Sequence, residues 1–540
     1  MSMSPDQIVR RINVLISERA NWESYWQDIA NVYMPRKAYI VRPRIFGERL
    51  DFSRVFDSSP IRALNTTASG FHSWLTNPAS KWFTIEMDER ELMEIKEVKV
   101  WLEDVASEIF FTLNISNADE TLQEFYIDSS GFGTGNVFSE EDFKNRVRFT
   151  ELPIAEVFIE EDVHGRVIRL YRKFEYTVQQ AWDIWGANAG KEVVEKIQNE
   201  KTKSDKVWFV HYVGPRDIRQ EGKKDKLNMP FESKWITFIK KELISEGGYR
   251  EFPLASGRFY KNVGEVWGFS PAMDNLADTH MLNAMKRTLI RASMKIVDPP
   301  FVMPDRGFIL PMNLNPSGAN YRNPQTAKDD FQPILTKGNI PIGFDMIQDT
   351  RESINLGMFV RLFQAFGPER KDMTATEVNA RIREGMAALG PVVGRFQQEV
   401  LDPIILRTFN ILFRNGLLPP IPPILEGREF TVKYISPLAR AQREQEISEI
   451  LRMLDTVGAM AGFAPNVIDK INSDKAVDIM AEIRGVNPQI IRDDDEVVKI
   501  RKAKAEAQAQ AIMAEQIAQG AGAVRDVAAA EKDLQTAGKE

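Results

Sequence analysis

The stretch that comes closest to chemistry is Gly131-Phe132-Gly133-Thr134-Gly135, where three glycines in five residues could wrap backbone amides around a phosphate. No Gly-Lys-Ser/Thr follows it, so it reads as a tight turn. Gly186-Ala187-Asn188-Ala189-Gly190-Lys191 is one residue short of a phosphate loop and carries Glu192 where the metal-holding hydroxyl belongs. His72, His164, His211 and His280 are far apart and form no HExxH pattern. The absence of cysteine excludes disulfides, thiolate zinc sites and cysteine nucleophiles together. Asp493-Asp494-Asp495-Glu496 gathers carboxylates, but at the front of a helical stretch such a run complements the N-terminal dipole. Ser69-Gly70 and His72 make no nucleophile elbow. The expectation is therefore no enzyme, no cofactor and no metal.

The elements around these residues are mainly helical, within an α+β class. At 540 residues and 43% hydrophobic the chain can bury several cores, and its length predicts three or four structural units. It contains no run of eighteen apolar residues, and its start, MSMSPDQIVRR, lacks a hydrophobic signal core. Synthesis in the cytosol and no membrane partner are expected. A net charge of -7 argues against a sequence-specific nucleic-acid binder, which usually carries a basic domain. It does not argue against DNA passing nearby, because each neutralised phosphate adds affinity and so drag.

Ser4-Pro5-Asp6-Gln7 predicts a helix start, followed by an apolar face through Ile8, Ile12, Leu15, Trp22, Trp26, Ile29 and Tyr33 until Met34-Pro35. A second helix is predicted with its cap at Ser59, and its small residues Ala63, Thr67 and Ser69-Gly70 allow close packing. Residues 97–114 predict another helix, through Val98, Trp101, Val105, Ile109 and Leu113. Between Val137 and Leu254 the period changes to that of strands: a hairpin over Ile154–Tyr176 turning at 162–165, then strands at Lys206–Val213 and Lys234–Ile244. One helix near Val178–Ile197 interrupts this β-rich module, and Glu429–Ile435 reads as a strand returning to it.

Ser270-Pro271 opens a helix over 271–297 with an apolar row of Met273, Leu276, Met281, Met285, Leu289 and Ile296. Its acids, Asp274 and Asp278, come early and its bases, Lys286, Arg287, Arg291 and Lys295, come late, which suits the dipole. Two readings of the bases stand: a solvated face, or a stripe that meets DNA. Residues 298–344 are rich in Pro, Gly and Asn, and such a long irregular insertion implies short strands or a partner. A returning helix over 345–363 follows, with Ile347, Ile354, Met358 and Leu362 on one face.

A charged loop, Gly367-Pro368-Glu369-Arg370-Lys371-Asp372-Met373, then precedes the longest helical pattern in the chain, Thr374–Gly416. Thr374 and Glu377 form a capping box, Asn415-Gly416 supplies the stop, and Pro391 and Pro403 predict kinks. Beyond Pro437 the chain is helical again, and from Glu496 it is rich in Ala, Gln, Glu and Lys but poor in large apolar residues.

Several phrases together resemble the portal, or head-to-tail connector, proteins of short-tailed bacteriophages: LNTTASGFHSWLTNPASKWF from Leu64, FGTGNVFSEED from Phe132, GEVWGFSPAMDNLADTHMLN from Gly264, DPPFVMP from Asp298, TATEVNARIREGMAALGPVVGRFQQEVLDPIILR from Thr374 and YISPLARAQR from Tyr434. The resemblance implies a ring of usually twelve subunits at one vertex of the virus shell, around a channel for double-stranded DNA bound without sequence preference. It implies a wing over 1–270, stem helices over 271–297 and 345–363, and a clip over 298–344. It further implies a channel loop over 364–373, a long kinked helix with a return to the wing over 374–435, and a helical crown and tail over 436–540. The implied partners are the terminase packaging motor, tail adaptors, and the major capsid and scaffolding proteins. On this reading Lys286, Arg287, Arg291 and Lys295 face DNA, while Asp305, Arg306, Arg322, Lys328, Asp329, Asp330 and Lys337 dock partners at the clip. Twelve copies at -7 each carry -84, which predicts a low-friction conduit centred by sparse basic rings. The rival reading is an oligomeric virion scaffold or ejection protein without a DNA channel.

Overall fold

The computed structural model describes residues 3–297 except 44, 46, 90, 221 and 224; 301–302; 332–333; 340–364; 389–461 except 426, 429 and 436; and 466, 471–484, 490–492 and 496–511. Helices α1 (Pro5–Tyr33) and α2 (Ser59–Leu75) precede strand β1 (Phe83–Met87) and helices α3 (Lys96–Ile115) and α4 (Ala118–Phe132). Strands β2 (Thr134–Asp142), β3 (Arg146–Glu151), β4 (Val157–Glu161) and β5 (Val167–Thr177) follow, then short helices α5 (Val178–Trp185) and α6 (Lys191–Ile197). Next come β6 (Lys206–Pro215), β7 (Phe231–Thr237), β8 (Leu243–Tyr249) and β9 (Leu254–Arg258). The one-turn α7 (Pro271–Asp274) leads into α8 (Leu276–Val297), and two-residue strands β10 (Phe301–Val302) and β11 (Gln332–Pro333) stand before α9 (Ile340–Gly357) and α10 (Val360–Gln364). Helical residues 389–396 pass through a π turn (Gln397–Leu401) into α11 (Asp402–Arg414); β12 (Phe430–Tyr434), α12 (Pro437–Ala461) and α13 (Ser473–Arg484) come after it.

The chain divides into two compact units, Met1–Trp82 with Glu108–Leu418, and Phe83–Ser107 with Pro419–Glu540. In the first, Ser4 and Gln7 form the expected capping box and α1 ends at Tyr33 before Pro35. The first half of α1 covers one face of the antiparallel sheet β4-β5-β6-β7-β8, packing Ile8, Ile12 and Leu15 on Tyr171, Val210 and Ile236. Helices α5 and α6 contribute Val178, Ala181 and Val193 to the core with Phe174, Phe209 and Ile244. Tyr171 and Phe174, like Val210 and Phe209, fall on opposite faces because side chains alternate along a strand. A three-stranded sheet, β3-β2-β9, and the second half of α1 build another core, around Trp26, Tyr33, Phe132 and Leu254.

Arg19 is the unexpected member of α1, buried to 3% exposure. Its guanidinium donates to the carbonyls of Ile154, Ala155 and Val157, lies 3.6 Å from the Phe158 ring centroid and pairs with Glu23. Burial pushes its pKa down to about 10, against the pull of Glu23.

Three expectations are corrected. The strand predicted over 234–244 is two: β7 ends at Thr237, and Lys241, at φ 55°, turns the chain into β8. The second helix has its N-cap at Ser58, with Asp57 Oδ1 accepting the Ser59 amide. The strand at 430–434 does not join the β-rich module: β12 pairs antiparallel with β1, Ile85 opposite Val432, in the second unit. In that unit Trp101 Nε1 donates to the Pro419 carbonyl, and Val98, Leu102 and Val105 of α3 are buried as the spacing required.

Candidate functional site

Helices α8 and α9 pack side by side as an antiparallel pair. Gly343 lies beside Leu289, Ser353 Oγ is 3.0 Å from Asp278 Oδ2, and Gly357 lies beside Asn275. At Gly357 a Cβ would stand 2.2 Å from Asn275 Oδ1, so no larger residue fits there without displacing Asn275. The insertion between the helices closes with β10 paired to β11, Phe301 opposite Pro333. Its candidate docking residues, Asp305, Arg306, Arg322, Lys328, Asp329, Asp330 and Lys337, lie outside the described residues.

The buried face keeps four of the six residues of the predicted apolar row, Met273 and Leu289 buried and Leu276 and Met285 packed against the core, and adds polar residues to it. Thr279, Leu282, Asn283 and Leu289 are buried, whereas Met281 and Ile296 are 46% and 48% exposed. Two polar residues can turn inward because each finds partners: Thr279 Oγ1 meets Tyr33 OH at 2.7 Å, and Asn283 Oδ1 accepts the Phe56 and Asp57 amides at 2.8 and 3.0 Å. Asp57 in turn grips α9, where Arg351 Nε and Nη2 donate to its Oδ2 at 3.1 and 2.5 Å. Burial opposes the Asp57 charge, but Arg351 and the Ser59 amide outweigh it and hold the carboxyl below its usual pKa.

With that face inward, Arg287, Arg291 and Lys295 stand at i, i+4 and i+8 on the exposed side of α8, while Lys286 is half-buried on another side. The stripe therefore has three members. Arg287 lies 5.6 Å from the Phe56 ring; Arg291 and Lys295 meet no acid among the described residues. The exposed side of α9 is the electrostatic opposite, with Asp345, Asp349 and Glu352 outward.

The helix of α9 breaks at Phe359, which adopts φ 57°, and α10 then carries Phe363 onto α2. Thr67 Oγ1 donates to the Met358 carbonyl there, and Gly70 sits so close beneath Phe363 that a Cβ would overlap its ring at 2.2 Å. The candidate channel loop, Gly367 to Met373, lies outside the described residues, as does the capping box at Thr374 and Glu377. Among the described residues on either side, Phe363 and Phe396 both pack on Phe71 of α2, at 5.2 and 5.6 Å between centroids. Phe125, Tyr126 and Phe259 complete this aromatic knot.

Beyond Phe396 the helix widens. The Asp402 amide bonds the Gln397 carbonyl five residues back, and Pro403, which has no amide to give, sits at the start of α11. The irregularity predicted at Pro403 is thus a π turn. Pro391 lies within the helical residues 389–396, and the turn it was expected to kink lies outside the described residues. The π turn presents Glu399 to Arg258, a side chain at 2% exposure. Arg258 donates from its backbone amide and Nε, both at 2.9 Å, and from Nη2 at 2.6 Å to Glu399, and it also contacts Glu161 and the Gly165 carbonyl. Burial works against the guanidinium charge, and Glu399 and Glu161 more than compensate, raising its pKa. The stop at Asn415-Gly416 is as read, with Gly416 at φ 65°.

The phosphate-cradle candidates dissolve in the structure. Gly133 is the left-handed C-cap of α4, and a Cβ on it would meet the Gly268 carbonyl at 2.1 Å, so its job is to let two backbones touch. Gly186 ends α5, and Gly190 precedes α6. His211 is buried, stacked on Trp235 at 3.9 Å, and burial depresses its pKa to about 3. His72 pairs with Asp119 and His280 with Asp28, and Asp493 to Asp495 lie outside the described residues. Among the described residues no cluster could hold a metal ion, and no helix is long and apolar enough to cross a membrane.

The site is thus a helix pair joined by an insertion, with a following segment packed in an aromatic knot. The chain belongs to the family described as bacteriophage head to tail connecting protein, whose profile matches residues 6–491. It is 30% identical over 536 residues to the "Probable portal protein" of Bordetella phage BPP-1, covering 98% of this chain and 96% of that one. It is 29% identical over 521 residues to the "Portal protein" of Salmonella phage epsilon15, covering 96% and 94%. The family is structural, not enzymatic.

Sequence reasoning missed the Arg258–Glu399 pair, the inward turn of Thr279 and Asn283, and the acidic row of α9. The last was visible as the i, i+4, i+7 spacing of Asp345, Asp349 and Glu352. No local pattern points from Arg258 to Glu399, because 141 residues separate them.

Proposed function

We propose that the chain is the portal subunit of a phage virion: a ring, of twelve copies, at one capsid vertex, through which double-stranded DNA enters during packaging and leaves during ejection. Membership along nearly the whole chain carries this reading. The fold supports it with an antiparallel helix pair (α8 and α9) whose connection narrows to the β10–β11 pair, as a stem topped by a clip requires.

In this assignment the wing is built on 1–270, α8 and α9 are the stem, 298–344 is the clip, and 364–373 is a channel loop facing DNA. The knot at Phe71 then holds Phe363, just before that loop, on α2 of the wing, so that forces on the loop pass into the wing. The segment 436–540 forms a crown. The packaging motor and later the tail adaptors dock at the clip, and capsid and scaffolding proteins contact the periphery. An acidic subunit suits a conduit that must not grip its cargo.

Native mass measurement of the purified full chain tests the reading. The expected result is one large discrete species with a mass near twelve subunits. A concentration-dependent ladder without a closed species would favour a scaffold and overturn it.

A further inference from the structure

The exposed rows on α8 and α9 are unfinished within one subunit. Arg291 and Lys295 on one, and Asp345 and Asp349 on the other, have no ion-pair partner among the described residues. Leu356, on the same side of α9 as the acids, is 64% exposed. Each unpartnered pair spans about one helical turn, roughly 6 Å, so the pairs match in length as well as in opposite sign, and Glu352, the third acid, is paired with Arg361.

We infer that these two rows are one interface: the basic row of α8 in one copy docks on the acidic row of α9 in the next. This rests on the ring reading and specifies what closes the ring. A head-to-tail contact needs two different, complementary patches on each copy, and one basic and one acidic helix face provide them. Side chains four apart on facing helices place Arg291 and Lys295 to meet Asp349 and Asp345, with Arg287 and Glu352 at the margins.

The helix register adds a geometric consequence. Extending the alignment of Gly343 with Leu289 and of Ser353 with Asp278 puts Arg287 level with Asp345 inside one subunit. The basic row runs from that level toward the insertion, and the acidic row runs away from it. Setting Arg291 opposite Asp349 of the neighbour therefore needs an axial shift of about eight residues, or roughly 12 Å. With helix pairs roughly 20 Å apart, the pairs must lean by roughly 30° from the ring axis.

The rival destination for the bases is DNA phosphate, and charge exchange separates the two. Arg291→Glu/Lys295→Glu gives a subunit acidic on both faces, and Asp345→Lys/Asp349→Lys gives one basic on both. Each variant, purified as the full chain, should need at least about tenfold more protein to form rings, since like charges then face each other at every junction. Mixed in equal amounts they should assemble again, as rings with alternating, even-numbered content by native mass. In addition, Arg291→Cys/Asp349→Cys in this cysteine-free chain should give an oxidised ladder of covalently linked subunits. Within one copy the two sites are roughly 12 Å apart along the axis, too far for a disulfide.

Rings from either variant alone at wild-type concentration would overturn the pairing and leave the portal reading intact. Loss in both without recovery in the mixture would overturn it too, as would failure of the cysteine pair to cross-link in assembled rings. If the wild-type chain forms no ring, it is the proposed function that falls.

Discussion

The root of the helix pair and its outer faces handle charge in opposite ways. At the root, Asp57 and Arg258 are buried, Arg351 and Glu399 half-buried, and each meets a partner within the subunit. On the outer faces Arg291, Lys295, Asp345 and Asp349 are exposed and meet no opposite charge among the described residues. A buried charge without a partner is too costly to keep, whereas an exposed one costs almost nothing until a neighbour arrives. The buried ion pairs are therefore made within one copy, and on the interface inferred above the exposed charges are left for the next.

Substitutions should break this contrast with very different force. Arg258→Ala removes the cation that holds Glu399, while Glu161 keeps Lys261, and about 3–5 kcal/mol of stability should be lost in denaturant unfolding. Gly70→Val drives a side chain into the Phe363 ring; overpacking of this kind costs about 1–3 kcal/mol, and Phe363 should lose its seat on α2.

Protonation probes the interior next. His211 stays neutral when folded, with its pKa depressed to about 3, while the unfolded imidazole takes up a proton near 6.5. The unfolded chain thus binds the extra proton between those values. Stability from this group is intact above pH 6.5 and falls as the pH drops toward 3, by about 1.4 kcal/mol per unit. Substituting His211→Phe should flatten that part of the stability–pH curve. At the other extreme, Arg291→Ala should change subunit stability by no more than about 0.5 kcal/mol while still weakening ring assembly. A loss of stability comparable to that of Arg258→Ala would erase the distinction between root and surface.

Much of this was legible in the chain because it was written locally. The capping box at Ser4, the stop at Asn415-Gly416, the buried face of α3 and the hairpin turning at 162–165 each depend on residues within a few positions of one another. The turn at Lys241 and the cap at Ser58 were local and missed, but the other misreadings share one cause, which is distance along the chain. Thr279 and Asn283 look like surface residues until Tyr33 and the amides of 56–57 arrive to satisfy them. The strand at 430–434 pairs with a partner about 350 residues away, and nothing in its five residues names that partner. Pro403 announced an irregularity, but the carboxylate that uses it was invisible without Arg258. The absence of catalysis was legible throughout, since the missing residue types leave little to assemble.

Image reconstruction of the assembled protein by electron cryomicroscopy tests the central claim most directly. A closed ring is expected, with a channel wide enough for duplex DNA, inclined helix pairs, and Arg291 of each copy against Asp349 of the next. A ring whose basic rows point into an open channel, with no acid from the neighbour within about 4 Å, would contradict the account of how the copies join.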